Sequence, residues 1–171
     1  MKLNKILLVM TLASGVSAFG VQADAGSGVV TFTGSVIDAP CSVTAGDEDQ
    51  TISLGQVSST AVANGGTSTP VPFYVHLENC SVDTANTVTT TFTGADSTVS
   101  GATLGVTGNA SDVGIVLTDG GSNTITLGEA TAGQTIQSGD NTLVYSAYIV
   151  GGENPTEGDF TGVANWSLAY E

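Results

Sequence analysis

The last fourteen residues of the chain, 158–171, form its longest alternation of apolar and polar side chains. One face carries Phe160, Trp166, Leu168 and Tyr170, while the other face is mostly polar. A period of two is typical of a β-strand with one buried and one solvated face. Chain ends are normally frayed unless they pack against something. Because this end carries the only tryptophan, we expect it to belong to a core or an interface.

Further runs rich in β-branched and aromatic residues also predict strands. They cover residues 30–33, 51–55, 70–80, 87–94, 113–118, 124–127 and 141–150, with a short strand near Leu104. Asp119-Gly120 lies between two of these runs and predicts a hairpin. No segment shows a 3.6-residue repeat with helix caps. We therefore expect an all-β sandwich of the immunoglobulin kind with about seven to nine strands, and a β-barrel or jelly roll is the alternative.

The beginning of the chain predicts a secretory signal peptide. A short basic segment precedes an apolar run over residues 6–21, and Val21-Gln22-Ala23 is a small-x-small cleavage pattern. Residues 1–23 are therefore expected to be removed, with cleavage after Ala18 as the weaker option. A transmembrane helix is the competing interpretation, but the run is short for a membrane span and is interrupted by serine and glycine.

Removal of this segment changes the charge of the protein. The two basic residues, Lys2 and Lys5, both lie within it, whereas all sixteen acidic residues lie beyond it. A mature chain without lysine or arginine cannot neutralise phosphates, so we expect no nucleic-acid partner and no attraction to anionic lipid. A partner that senses charge is expected to be basic.

The chain contains two cysteines, Cys41 and Cys80. Export from the cytoplasm and an even number of cysteines predict one disulfide. Two free thiols or a metal-binding pair are the alternatives, although no other cluster of cysteine or histidine supports a metal.

The sequence carries no motif of an enzyme active site: there is no Gly-x-Ser-x-Gly elbow, no His-Glu-x-x-His and no phosphate-binding loop. Catalysis by two carboxylates needs no histidine, but most carboxylates lie in predicted turns, where solvation is the expected role. The acidic turn at residues 45–50 lacks the spacing of an EF-hand. His76, the only histidine, is expected on the surface of a strand. We predict no enzyme activity, no metal and no cofactor.

Four segments carry a resemblance to a known family. They are residues 30–41 (VTFTGSVIDAPC), residues 49–56 (DQTISLGQ), residues 77–80 (LENC) and the alternating last block with its penultimate Tyr170. Together they resemble the major structural pilins of chaperone–usher fimbriae, the type 1 and P-pilus subunits of Gram-negative bacteria. The resemblance covers essentially the whole mature chain, and its first and last blocks are specific in combination.

The resemblance implies an immunoglobulin-like sandwich that lacks its final strand and is completed by a donor strand from another subunit. It also implies that a periplasmic chaperone first lends this strand, and that at the outer-membrane usher the arm of the next subunit replaces it. The chain would then comprise a signal peptide (1–23), a donor-strand arm (24–33) and an incomplete domain (34–171). The pattern at residues 30–33 alone fits an ordinary first strand equally well.

The same resemblance implies roles for individual residues of the arm and of the groove. In the arm, Val30 and Phe32 would point into the groove of a neighbouring subunit, and Gly28, with Gly26 as the runner-up, would lie where the groove is too tight for a side chain. The residues expected to line the acceptor groove or to contact the chaperone are Phe160, Trp166, Leu168, Tyr170 and Glu171. The Glu171 carboxylate would meet basic chaperone residues, and Cys41 and Cys80 match the disulfide of the family. The arm is somewhat shorter than the resemblance leads us to expect.

The leading functional hypothesis is a rod-forming major pilin, which polymerises with identical subunits into a cell-surface fibre that supports adhesion. A minor adaptor or terminator subunit and a tip adhesin are the alternatives. A tip adhesin of this system carries an additional receptor-binding domain, and a mature chain of about 148 residues (171 less 23) suits one domain.

Overall fold

The computed structural model describes residues 28–83 and 85–171, in which nearly all regular structure is β-strand. The elements are β1 (Ser42–Val43), α1 (Ser59–Val62), β2 (Val71–Cys80), β3 (Thr87–Gly94), β4 (Thr107–Gly108), β5 (Val113–Asp119), β6 (Gln134–Thr135), β7 (Gly139–Gly151), β8 (Phe160–Thr161) and β9 (Ala164–Tyr170). By its contacts the chain divides into residues 1–36 and residues 37–171. Within the described ranges, no helix is long and apolar enough to cross a membrane.

The strands of residues 37–171 pair antiparallel throughout. One sheet has the order β1-β2-β7-β5, a second has the order β6-β3-β9, and β4 pairs with β8. Apolar side chains of the two larger sheets meet in one core, to which β2 contributes Val75 and Leu77, and β3 contributes Val88 and Phe92. Two sheets that share a core form a β-sandwich, so the all-β prediction is confirmed.

The alternation of side chains explains which face each strand buries. On β3, Val88, Thr90 and Phe92 are buried while the threonines between them are not. On β7, Leu143 and Tyr145 are buried and the intervening Val144 is exposed. Period-two burial of this kind is what a strand with one wet face requires. The long strands at 70–80, 87–94, 113–118 and 141–150 are confirmed with small changes at their ends.

Cys41 and Cys80 form a disulfide, as predicted. Cys41 immediately precedes β1 and Cys80 ends β2, so the bond holds the beginning of the body, residues 37–171, against the neighbouring strand. Both residues are buried in the core. His76 lies on β2 with an exposed side chain, which confirms its predicted position.

Other local predictions were wrong or only partly correct. Residues 51–55 form no strand, because among the described residues none pairs with their backbone. The predicted loop at 58–69 contains the single helical turn α1. The predicted strand at 124–127 is reduced to one bridge between Thr118 and Thr124, although the hairpin turn at Asp119 forms. The last stretch divides into β8 and β9, because its first part pairs with β4 and its second part with β3.

Residues 28–36 belong to the first of the two parts into which the chain divides. They form no strand with any described residue, and their apolar side chains are exposed. Val30 is 74% exposed, Phe32 is 90% exposed and Val36 is fully exposed. The predicted signal peptide and the predicted arm residues 24–27, including Gly26, lie outside the described residues.

Candidate functional site, a groove beside the last strand

The last strand, β9, is an edge strand in the part of the chain that the structure describes. It pairs with β3 along one edge, from Ala164 opposite Gly94 to Tyr170 opposite Val88. No described strand pairs with its second edge, because β9 ends the order β6-β3-β9. A row of unpaired N–H and C=O groups of this kind can accept another strand.

An open groove runs beside this edge. It consists of three cavities of about 730, 630 and 700 Å³ that border successive, partly overlapping portions of residues 158–170. The first cavity lies beside residues 158–164, the second beside residues 162–166 and the third beside Trp166, Leu168 and Tyr170. The groove therefore follows the whole length of the terminal alternation.

The floor of the groove is the hydrophobic core itself. Phe73, Val75, Phe92, Leu104 and Ile115 line the second cavity, together with Leu117 and Ala147. The rings of Phe73 and Phe92 both pack on Tyr145, with ring centroids 5.5 Å and 5.1 Å away. An apolar floor below an open channel favours an occupant with apolar side chains.

Opposite the terminal stretch, the first two cavities are lined by residues 51–57, which we call the wall, and the third cavity is lined by residues 37–40 and Val43. Ile52 and Leu54 are half-buried and line the first two cavities. Among the described residues, the wall makes no backbone–backbone hydrogen bond. Along the first two cavities, the groove is thus bounded on both sides by backbone groups that could pair with an inserted strand. Sequence reasoning predicted a strand in this segment but did not assign it to the site.

The structure brings the predicted acceptor residues together along the groove. Each of these residues lines at least one of the three cavities and is only half-buried, so the face predicted to be buried is partly open. They are Phe160, Trp166, Leu168 and Tyr170. Burial raises the pKa of Tyr170 above its ordinary value. The side chain of Glu171 is exposed, while its backbone exchanges hydrogen bonds with Thr87.

Two small residues of the groove were not singled out from the sequence. Gly162 and Ala164 stand on the same face as Phe160 and Trp166, and both line the first two cavities. A Cβ at Gly162 would lie 2.6 Å from Cδ1 of Ile115 and 3.2 Å from Cδ2 of Leu104. On the side of the groove formed by the terminal stretch, the side chains are therefore small at residues 162–164 and large from Trp166 onwards. The sizes of these alternate residues can be read from the sequence, so this change from small to large side chains could have been predicted.

The site contains little polar chemistry. Among the described residues, no three side chains of histidine, cysteine, aspartate or glutamate are placed to hold a metal ion. A polar contact at the surface joins His76 to Asp47, with Nδ1 and Oδ2 2.7 Å apart. The arrangement offers backbone hydrogen bonds and apolar cavities, which suit the binding of a peptide strand.

Comparison with known proteins gives a consistent result. Residues 30–171 match the family described as "Fimbrial protein". The chain is 51% identical to the Fimbria A protein of Serratia marcescens and 45% identical to the major MR/P fimbria protein of Proteus mirabilis strain HI4320, and each alignment covers 100% of both chains.

Solved structures extend the comparison to the fold. A chaperone–usher pilus, whose structure was described in relation to rod uncoiling, matches with a TM-score of 0.74 and 33% identity over 86% of this chain and 97% of that chain. The P pilus rod subunit PapA matches with a TM-score of 0.68 and 30% identity over 78% of this chain and 100% of that chain.

These similarities establish the class of protein. The sandwich is of the immunoglobulin-like type found in pilins, as the sequence predicted. The chain belongs to the fimbrial protein family. Its role as a structural subunit of a surface fimbria, and its export to the cell surface, are thereby confirmed.

Proposed function

We propose that this subunit is an incomplete sandwich that polymerises by receiving a β-strand from another copy of itself. The observation that carries the proposal is the unpaired edge of β9 beside an open, apolar groove. A strand placed there would pair with β9 on one side and with the wall on the other. Its alternate side chains would fill the cavities, which is how strand addition combines affinity with specificity.

The length of the groove fits a strand rather than a compact ligand. Residues 158–170 comprise thirteen positions, which span about 43 Å at ~3.3 Å per residue in a strand. The predicted arm, residues 24–33, would span about 33 Å on the same basis. One arm would therefore cover most of the groove but not its whole length. This is what an arm somewhat shorter than the resemblance implies would do.

The sizes of the side chains support the arm as the occupant and suggest its direction. In chain order, the face of the terminal stretch passes from small residues at Gly162 and Ala164 to the large Trp166. The alternate residues of the arm pass from glycine at 26 and 28 to Val30 and Phe32. Large residues pack best against small ones, so complementary packing runs the arm antiparallel to β9. Val30 and Phe32 are exposed in the subunit and hence available for such an exchange.

The same groove requires protection before assembly. An apolar floor and an unpaired strand edge would cause isolated subunits to aggregate. We propose that a periplasmic chaperone covers the groove with a strand of its own and that an outer-membrane usher exchanges it for the arm. The exposed side-chain carboxylate of Glu171 would suit basic residues in the chaperone. Support for this route comes from the similarity to a chaperone–usher pilus.

We further propose that the subunit forms the rod and is not an enzyme. Relatives named as major fimbrial subunits, aligned over their whole length, support this assignment over an adaptor, a terminator or a tip adhesin. The abundance of the protein in fimbriae sheared from cells tests it. A rod subunit should dominate the preparation, whereas an adaptor or adhesin should be a trace component.

The strand exchange itself is tested with a fused protein. A second copy of residues 24–35 is attached after Glu171 through a short linker, and it should convert an aggregating subunit into a soluble, stable monomer. The matched control carries Val30→Asp and Phe32→Asp in the attached copy only, which removes the apolar anchors and should restore aggregation. The proposal fails if the unfused, fused and control proteins are all monomeric and equally stable.

A further inference from the structure

The wall is joined to the rest of the sandwich by a turn at residues 44–50 that follows β1. At this turn the chain leaves the edge of β2. The backbone N–H of Thr44 donates to the carbonyl of His76 at 3.0 Å, which is the last backbone hydrogen bond between this segment and β2. Beyond it, two side chains continue the contact with the strand.

Asp47 and Gln50 provide these contacts. Oδ2 of Asp47 accepts the backbone N–H of His76 at 2.7 Å and lies 2.7 Å from Nδ1 of the same residue. Nε2 of Gln50 donates to the carbonyl of Tyr74 at 2.6 Å and to the carbonyl of Asp47 at 3.2 Å. His76 and Tyr74 are alternate residues of β2, so their backbone groups face the same edge. The two side chains thus occupy the positions that a neighbouring strand would fill.

The wall has little else to hold it. Within the described residues, its backbone groups form no hydrogen bonds with other backbone groups, and its polar contact is a local one from the N–H of Gly55 to Ser53 at 3.4 Å. Leu54 packs against the core, and α1 follows the wall at its far end. The turn therefore fixes one end of a segment that otherwise depends on apolar packing.

We infer that Asp47 and Gln50 are positioning residues that set the wall against β9 at the distance required by an inserted strand. The inference rests on the proposed strand exchange. Loosening the turn would leave the sandwich folded, because the pairs β2–β7 and β3–β9 do not involve it. It would widen the groove and let the bound strand leave faster.

The test uses the fused protein with one arginine in its linker. Because residues 24–171 contain no lysine or arginine, trypsin then cuts only in the linker and leaves the attached strand bound without a covalent tether. Its replacement by an excess of fluorescent peptide of residues 24–35 is followed at a temperature at which the parent protein exchanges within hours. Gln50→Glu places a carboxylate against two carbonyl oxygens and should accelerate exchange roughly tenfold.

Matched variants separate positioning from a general loss of stability. Gln137→Glu adds the same charge at an exposed glutamine and should exchange like the parent. Asp47→Ala should accelerate exchange, whereas Asp47→Asn, which keeps an acceptor for the N–H of His76, should restore most of the parent rate. Hydrogen exchange should rise at residues 48–57 and stay unchanged in β3 and β7. In β2 it should change only at His76, whose backbone N–H loses its acceptor in Asp47→Ala. If Gln50→Glu does not fold, Gln50→Met removes the same hydrogen bonds.

If the peptide replaced the bound strand at equal rates in the Gln50 and Gln137 variants, the inference would be overturned. Faster replacement of the bound strand, accompanied by an equal rise of hydrogen exchange in every strand, would also overturn the inference. The effect on stability would then be global. A fused protein that is no more stable than the unfused subunit would instead defeat the proposed strand exchange, and that result is visible before any variant is made.

Discussion

The hydroxyl groups of Tyr145 and Thr90 lie 2.6 Å apart in the centre of the sandwich. Tyr145 belongs to β7 and Thr90 to β3, so this hydrogen bond joins the two sheets. Both residues are 0% exposed. A third group, Nε2 of Gln134, lies 3.4 Å from the tyrosine oxygen. Burial raises the pKa of Tyr145 despite the hydrogen bonds that lower it, so the phenol is held in its neutral form.

Tyr145→Phe should destabilise the fused protein by about 1–2 kcal/mol, because it leaves the buried hydroxyl of Thr90 without its partner. The free energy of unfolding in urea measures the loss. Thr90→Val should cost less, since the tyrosine hydroxyl keeps Gln134 as a partner.

The double variant provides the control for this pair. If the hydrogen bond couples the two residues, Tyr145→Phe combined with Thr90→Val should cost less than the sum of the single changes. Strict additivity would show that the two hydroxyls contribute independently, which would contradict the proposed link between the sheets.

Stability should decrease in acid because of two carboxylates. The backbone N–H of His76 is the main cause that lowers the pKa of Asp47. For Asp119, burial raises the pKa, but hydrogen bonds from Asn123 and Gly121 outweigh it and the pKa is lowered. A folded-state pKa below the ordinary 3.8 contributes stability that is present above that value. This stability is lost as the pH falls through the folded-state pKa.

The measurement compares urea unfolding of the fused protein at about pH 5 and about pH 2.5, which lie above and below the ordinary pKa of an aspartate. The fused protein carrying Asp47→Asn and Asp119→Asn should lose less stability over this interval than the parent. Asp140→Asn removes one negative charge at an exposed position and serves as the control for the change in charge. An unchanged slope in the double variant would contradict the assignment.

The disulfide should contribute strongly to stability. Cys41 and Cys80 are 39 residues apart in the chain. Closing a loop of this length is worth about 4 kcal/mol on the chain-entropy account. The fused protein with Cys41→Ala and Cys80→Ala should therefore show this loss in urea unfolding. The oxidised and reduced forms of the parent provide an independent comparison, and a loss below about 1 kcal/mol would contradict the expectation.

The sequence predicted the long strands well and the wall poorly, for a physical reason. Strands such as β7 bury one face within the chain itself, so their alternation reports their structure directly. Ile52 and Leu54 also alternate, but their backbone has no partner among the described residues. A pattern of side chains indicates that a segment can be a strand, whereas pairing depends on a neighbour that this chain does not supply.

The site was predictable in its apolar face and not in its shape. Trp166, Leu168 and Tyr170 were expected to share a face, and they do. The shape of the groove depends on which elements approach β9. This applies to the half-burial of these residues, to the cavities and to the space beside Gly162. Asp47 and Gln50 could not be singled out, because their roles arise from contacts with a strand that lies 24 to 29 residues away in the sequence.

Trypsin should not cut the mature protein. After removal of residues 1–23, no lysine or arginine remains in the chain, so even the unfolded protein offers no cleavage site. Purified protein is reduced, denatured and treated with trypsin, and the products are examined on a gel and by mass spectrometry. A second protease that cuts after aromatic residues serves as the control for unfolding. Tryptic fragments would show that the segment carrying Lys2 and Lys5 is retained.

Gly28→Leu should reduce polymerisation without disturbing the subunit. Neither Gly28 nor Gly34 has a left-handed backbone, and a Cβ at either position would meet no atom within 4 Å. A leucine at either position is therefore compatible with the isolated subunit, and a difference between the two variants must arise on assembly. Under the proposed exchange, position 28 enters the narrow part of the groove beside the large residues of β9, while position 34 lies outside the predicted arm.

Fimbriae are sheared from cells that express each variant and are then purified. The amount of subunit in the fimbriae is compared with the amount in the periplasm. Gly28→Leu should reduce the polymer at least about tenfold, because one clash of this kind costs 1–3 kcal/mol at each of many identical contacts. Under the proposed assembly route, the same subunits should accumulate in complex with a periplasmic chaperone, since the groove itself is unaltered. Gly34→Leu should polymerise like the parent. Normal fibres from the Gly28 variant would exclude this glycine and direct attention to Gly26, the other small residue on that face of the arm.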